Sequence, residues 1–138
     1  MPQTLTWVAI DLVCGLYSTA DKRNSVQLLY DLRKRGGTCV TGAKKCTRHA
    51  CWNTSGVFIC NDNDHDVAID CETVANFAAG VANNCCTSTK SGISGQQWSD
   101  QNWNAIISYA NCNHDSNADR PSPGPPADPW GPNGLCTN

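Results

Sequence analysis

The side chains with most chemical potential in this chain are its ten cysteines and three histidines, together with a short run of alternating amides and carboxylates. The cysteines are Cys14, Cys39, Cys46, Cys51, Cys60, Cys71, Cys85, Cys86, Cys112 and Cys136, and five of them fall between Cys46 and Cys85. An even count at this density in 138 residues points to up to five disulfides and an oxidising compartment. A structural zinc site needs close cysteine pairs, repeated. The tightest spacings here are the adjacent Cys85-Cys86 and Cys46 with Cys51, so disulfides are expected and no metal or other cofactor is. The connectivity stays open, and no single thiol stands out as a nucleophile.

The histidines are His49, His65 and His114, and the runs Asp64-His65-Asp66 and His114-Asp115 would suit proton transfer. Catalysis needs a nucleophile, a base and an orienting group meeting in space, which adjacency does not supply. No G-x-S-x-G or H-E-x-x-H motif is present. Glu72 is the sole glutamate and sits where a helix begins. The Glu/His pair of a secreted ribonuclease, built on strands, is therefore hard to assemble. A non-catalytic protein is the leading expectation, with a small secreted hydrolase as the alternative.

Asn61-Asp62-Asn63-Asp64-His65-Asp66 offers oxygen ligands at alternate positions. A calcium loop of the EF-hand kind requires glycine at its sixth position and glutamate at its twelfth. Counted from Asn61, those positions hold Asp66 and Glu72, so the glycine is missing. Turns in which Asn and Asp side chains bond the backbone account for the same composition, and a connector is expected. Lys44, Lys45, Arg48 and His49 form the densest positive cluster and are the candidate partner-binding residues. Asn53-Thr54-Ser55 is an N-glycosylation sequon, and Asn53 the candidate attachment site. Trp98, Trp103 and Trp130 could instead serve a cell-wall carbohydrate binder, although Trp103 alternates with core-type residues.

These residues have to be positioned by a modest core, which disulfides would supplement at about 2–4 kcal/mol each. A strand is expected over Leu5–Cys14, with Thr6, Val8, Ile10, Leu12 and Cys14 facing inward and Asp11 on a wetter face. Ser18–Asp21 has the form of a helix start, and a helix should run to about Arg35 and stop at Gly36-Gly37. Its stripe is Ser25, Leu28, Leu29 and Leu32, supported by Val26, and its basic end, Arg33-Lys34-Arg35, suits the helix dipole. Thr38 to Lys45 reads as a loop. Thr47–Trp52 and Val57–Asn61 read as a hairpin; with its tip at Ser55-Gly56, Cys51 would face Cys60. A second helix should start near Asp70 and carry Val74, Ala75, Phe77, Ala78, Val81, Ala82 and Cys85 inward, tied at its ends by Cys71 and Cys85. Two strands, Gln96–Ser99 and Trp103–Cys112, complete the domain.

The fold class expected is therefore α+β, a disulfide-rich α/β sandwich. An antiparallel sheet of about four or five strands packs against two helices. One domain covers residues 1–112, and a Pro-rich tail, 113–138, is stapled by Cys136. With a net charge of −2 and 16% charged residues, nothing indicates a nucleic-acid partner. No membrane span is expected, since no run of about twenty apolar residues occurs. The stretch after Met1 lacks the basic start of a leader and has Asp11 in its middle, so the leader is expected to have been removed from a secreted, monomeric protein.

The order of these motifs resembles a known family. Cys14-Gly15-Leu16 precedes the first helix, and a cysteine-bearing basic loop follows it. Val57–Cys60 leads to a helix between Cys71 and the Cys85-Cys86 pair, and Gly95-Gln96 precedes a strand closed by Cys112. This resembles the virally encoded killer toxins of smut fungi and related small secreted fungal proteins of effector type, over residues 14–112. The resemblance implies an α/β sandwich with a disulfide-bonded antiparallel sheet, secretion, and action on another organism's cells. One branch of these toxins blocks calcium channels through a basic residue in the loop after the first helix; the matching region here is Lys44-Lys45 to Arg48. The Pro-rich tail and the Asn-Asp loop depart from the toxin pattern.

Overall fold

The structure, a computed structural model, describes residues 7–86, 92–114 and 121. In chain order the elements are β1 (Ala9–Cys14), β2 (Ala20–Asp21), α1 (Lys22–Arg35), β3 (Thr38–Thr41), β4 (Lys45–Trp52), β5 (Ser55–Asn61), β6 (Val67–Asp70), α2 (Cys71–Asn84), β7 (Gly92–Ile93), β8 (Gly95–Ser99) and β9 (Trp103–Tyr109). Five strands make one antiparallel sheet in the order β1-β8-β9-β5-β4, and two small sheets pair β2 with β7 and β3 with β6. This is a disulfide-rich α+β fold, as the cysteine count and the two helical stripes predict.

Both helices fall on the expected stretches, but α1 begins at Lys22 with Asp21, not Ser18, at the N-cap, and Asp70 precedes α2 without a side-chain cap bond. The Asp21 carboxylate caps α1 by accepting from the Arg23 N–H at 2.9 Å. Gly36 ends it with φ 60°, its N–H donating to the Leu32 carbonyl. Ser25, Leu28 and Leu32 are buried, but Val26 is 74% exposed, so the stripe is narrower than its apolar residues suggest. In α2 the inward residues are Val74, Ala75, Phe77, Ala78, Val81 and Ala82, all buried. Packed with β5 and β9, they form one large core in which Trp103 is 0% exposed. A smaller cluster of Phe58, Ile106 and Ala110 lies on the other side of the same strands, against Tyr17, Cys51 and Cys60. The central strands are consequently buried almost throughout.

Four disulfides are described: Cys14–Cys85, Cys39–Cys71, Cys46–Cys60 and Cys51–Cys112. The first two anchor the ends of α2, as expected. Cys86 is disulfide-bonded as well, while Cys136 and nearly all of the proline tail lie outside the described residues. β8 passes directly beneath the first bridge. A Cβ on Gly95 would come within 2.8 Å of Cys85 Sγ and 3.0 Å of the Val13 carbonyl, so only glycine fits there.

Three sequence expectations need correction. The hairpin turns at Asn53-Thr54, because Trp52 pairs with Ser55. That register sets Cys46 opposite Cys60 and Cys51 opposite Gly56, which frees Cys51 for Cys112. Asn53 adopts φ 54°, a left-handed conformation that Asn tolerates, and this permits a two-residue turn without glycine. Secondly, β1 does not face the core with Val8, Ile10 and Leu12, which are 48%, 57% and 37% exposed. It is an edge strand with a bulge between Ala9 and Asp11, and the bulge breaks the alternation, leaving Trp7 and Cys14 as its core contacts. Thirdly, Thr38–Thr41 is a strand, paired with Val67–Asp70. Thr6 and the rest of 1–6 lie outside the described residues.

Candidate functional site

β4 is the second edge of the main sheet, and all four candidate residues sit on it or on the turn leading into it. The turn is built from Asn61. Its amide nitrogen points at the carbonyls of Thr41, Gly42 and His65 at 3.3, 3.1 and 2.8 Å, and its side-chain oxygen accepts from the Asn63 N–H at 2.9 Å. The Asp66 carboxylate accepts from the Ala43 N–H at 3.1 Å. The Asn61–Asp66 run is thus a hydrogen-bonded platform beneath the Gly42–Lys45 corner. On it Lys44 takes φ 56°, its N–H donating to the Asn63 carbonyl at 3.0 Å and its ammonium to the Asp62 carbonyl at 2.5 Å. Lys44 and Lys45 are both exposed.

Arg48 and His49 part company with them. A strand bulge falls between Arg48 and Ala50, with His49 as the extra residue. Arg48 is buried over Gly56 and donates to the carbonyls of Asn111 and His114, both at 2.8 Å. It is a structural clamp on the segment after β9. His49 turns toward β3, its Nε2 lying 2.9 Å from Thr41 Oγ1, while its carbonyl accepts from the Arg35 guanidinium. An open pocket of about 280 Å³ is lined by Arg35, Arg48, His49, Ala50 and Cys51.

Tertiary packing adds what the sequence separates. The end of α1 brings Arg35 to His49 on β4, and Arg33-Lys34-Arg35, like Lys44-Lys45, are exposed. Arg33 donates to Asn76 on α2, and Lys34 sits 5.8 Å from the Tyr30 ring centre. Among the described residues the ion pair is Arg23 with Asp21, and none involves these five cations. No signal in the linear chain brings Arg35 to β4; helix packing does so, at His49.

Burial, assisted by the Arg35 charge, pulls the His49 imidazole down to about 4. The neutral ring is therefore favoured in the fold. Since the folded value lies below the ordinary 6.5, stability from this group is complete above pH 6.5 and is lost as pH falls from there toward 4. The loss should be on the order of 2 kcal/mol across that window. Replacing His49 by Gln should flatten the slope of the unfolding midpoint between pH 7 and 4.5; an unchanged slope would show that His49 is not its source.

The three histidines do not converge. His65 Nδ1 faces the Asp66 carbonyl at 3.1 Å, and His114 Nε2 faces Asn111 at 3.3 Å. Among the described residues no group of three His, Cys, Asp or Glu side chains could hold a metal ion, and no helix is long and apolar enough to cross a membrane. Trp103 is core and Trp98 half-buried, while Trp130 lies outside the described residues. No family model, curated protein or solved structure matches this chain. What fold and site define is a class: a disulfide-locked α+β domain with a cationic corner. Its several disulfides fit an extracellular, oxidising setting.

Proposed function

We propose that this is a secreted, non-catalytic toxin- or effector-like protein that binds a protein or surface component of a target cell through its cationic corner. The carrying observation is that Lys44 and Lys45 stand exposed on a turn fixed by the Asn61 network, without ion-pair partners among the described residues. Two exposed ammonium groups on a hydrogen-bonded turn lose little order on binding and can pair with an acidic partner at close range. Arg33, Lys34 and Arg35 extend the same positive character. Arg48 and His49 take structural roles elsewhere, on the segment after β9 and on β3.

Retention of labelled protein on intact cells and spheroplasts, plant and fungal, tests the proposal. Lys44→Glu with Lys45→Glu should reduce retention about tenfold or more and leave the unfolding midpoint within a few degrees of wild type. High salt should weaken wild-type binding in the same way. Full retention by the folded double variant would remove this site. RNA turnover by the pure protein that vanished in His49→Ala or His65→Ala would replace the proposal with the hydrolase reading.

A further inference from the structure

The turn that joins β4 to β5 carries more than a change of direction. Ser55, third residue of Asn53-Thr54-Ser55, is fully buried on the α1 side of the sheet. Its hydroxyl accepts from the Asp21 N–H at 3.0 Å and from Asn24 Nδ2 at 2.9 Å. The Asn53 side chain folds over the same side, Nδ2 donating to Asn24 Oδ1 at 3.1 Å, while the residue as a whole stays exposed. Ser55 pairs with Trp52 on one flank and with Tyr109 on the other, so all three side chains share one face. Unlike Ser55, the two aromatic residues are 46% and 42% exposed. The Asn53 amide thus emerges beside a half-exposed indole on an otherwise polar tip.

We infer that Asn53 carries an N-linked glycan whose first N-acetylglucosamine rests on the Trp52 ring. The inference rests on the reading that the chain is secreted. The donor is a polyprenyl-diphosphate-linked oligosaccharide. The bond from Asn53 Nδ2 to the sugar's anomeric carbon forms as the sugar–phosphate bond breaks, and polyprenyl diphosphate leaves. Nδ2 gives up one of its two protons, which the leaving diphosphate takes up, and keeps the other, so one N–H remains to donate toward Asn24. Transfer takes place on the extended chain, before Ser55 is buried. Once folded, the turn projects the sugar away from the core, and the apolar face of the pyranose can cover Trp52, which is 46% exposed.

The test is secretion of the full chain from a eukaryotic host behind a supplied leader, which separates this inference from the question of natural secretion. Intact mass and peptide mapping should show glycan on Asn53 and none in Asn53→Gln. Secreted, disulfide-complete protein with unmodified Asn53 overturns the site, while leaving the Lys44–Lys45 proposal standing. For the seat, glycan is trimmed to one sugar and compared with Asn53→Asp protein made without glycan. The single sugar should raise the unfolding midpoint by several degrees in the wild type and not in Trp52→Ala. Trp52→Leu, which keeps apolar bulk without a ring, covers the case in which alanine fails to fold. An equal rise in the wild type and the folded variant overturns the seat.

Discussion

Replacing Cys14 and Cys85 together by alanine should lower the midpoint of thermal unfolding by roughly 15 °C, the largest effect expected among the four described bridges. The bridge spans 71 residues and joins the edge strand β1 to the end of α2. Closing a loop of that length restricts the unfolded chain by about 4 kcal/mol in the chain-entropy account. Apart from its ladder with β8 and the Trp7 contact, β1 adds little to the core, because Val8, Ile10 and Leu12 face solvent. Gly95 is shaped to the bridge, so alanines there would also leave the packing around Cys85 incomplete. Cys46–Cys60, by contrast, spans 14 residues between strands that the ladder already pairs. Its loss should cost about 3 kcal/mol or less. Calorimetry on the two double variants checks the order, and a greater loss for Cys46–Cys60 would refute it.

Trp103→Ala should be nearly as severe, destabilising by about 3–5 kcal/mol. The indole is fully buried between Trp7, at 5.5 Å between ring centres and near-perpendicular, and Phe77 at 4.7 Å. Its deletion would open a cavity where β9, α2 and the segment before β1 meet. The same ring carries a defect, since Nε1 has no hydrogen-bond partner among the described residues. A buried, unpaired N–H typically costs about 1–3 kcal/mol. Trp103→Phe removes that donor while keeping an aromatic ring, so it should recover most of the loss. Denaturant titration with an unchanged slope measures both. A phenylalanine variant as unstable as the alanine one would mean that volume alone decides the site.

How much of this was legible in advance follows the range of the forces involved. Each α-helix is written locally: Asp21 caps one and Asp70 opens the other, Gly36 terminates the first, and the buried stripes recur within a few residues. The strands β8 and β9 were readable for the same reason, as alternating runs around a short polar turn. The β3–β6 pair was not, because each strand is four residues long and its partner lies on the far side of a hairpin. The hairpin itself was visible, but its register was not. Shifting the tip from Ser55-Gly56 to Asn53-Thr54 required Asn53 to accept a left-handed backbone, and the whole cysteine pairing of β4 turns on that choice.

The candidate site divides in the same way. Lys44, Lys45, Arg48 and His49 are neighbours in the chain, yet only the two lysines share an exposed corner. A one-residue bulge sends Arg48 to the carbonyls beyond β9 and His49 toward β3. Arg35, distant in sequence, arrives beside His49 because α1 packs back across the sheet. By itself the sequence determined composition, cysteine richness, both helices and the existence of a basic cluster and a sequon, all properties of single residues or short periods. Tertiary structure alone decided which cysteines meet, which cations remain exposed, and that Ser55 is buried against Asn24 while Trp52 and Asn53 stay exposed. Those outcomes depend on strand register and helix docking, which are fixed only when distant segments compete to bury the same core.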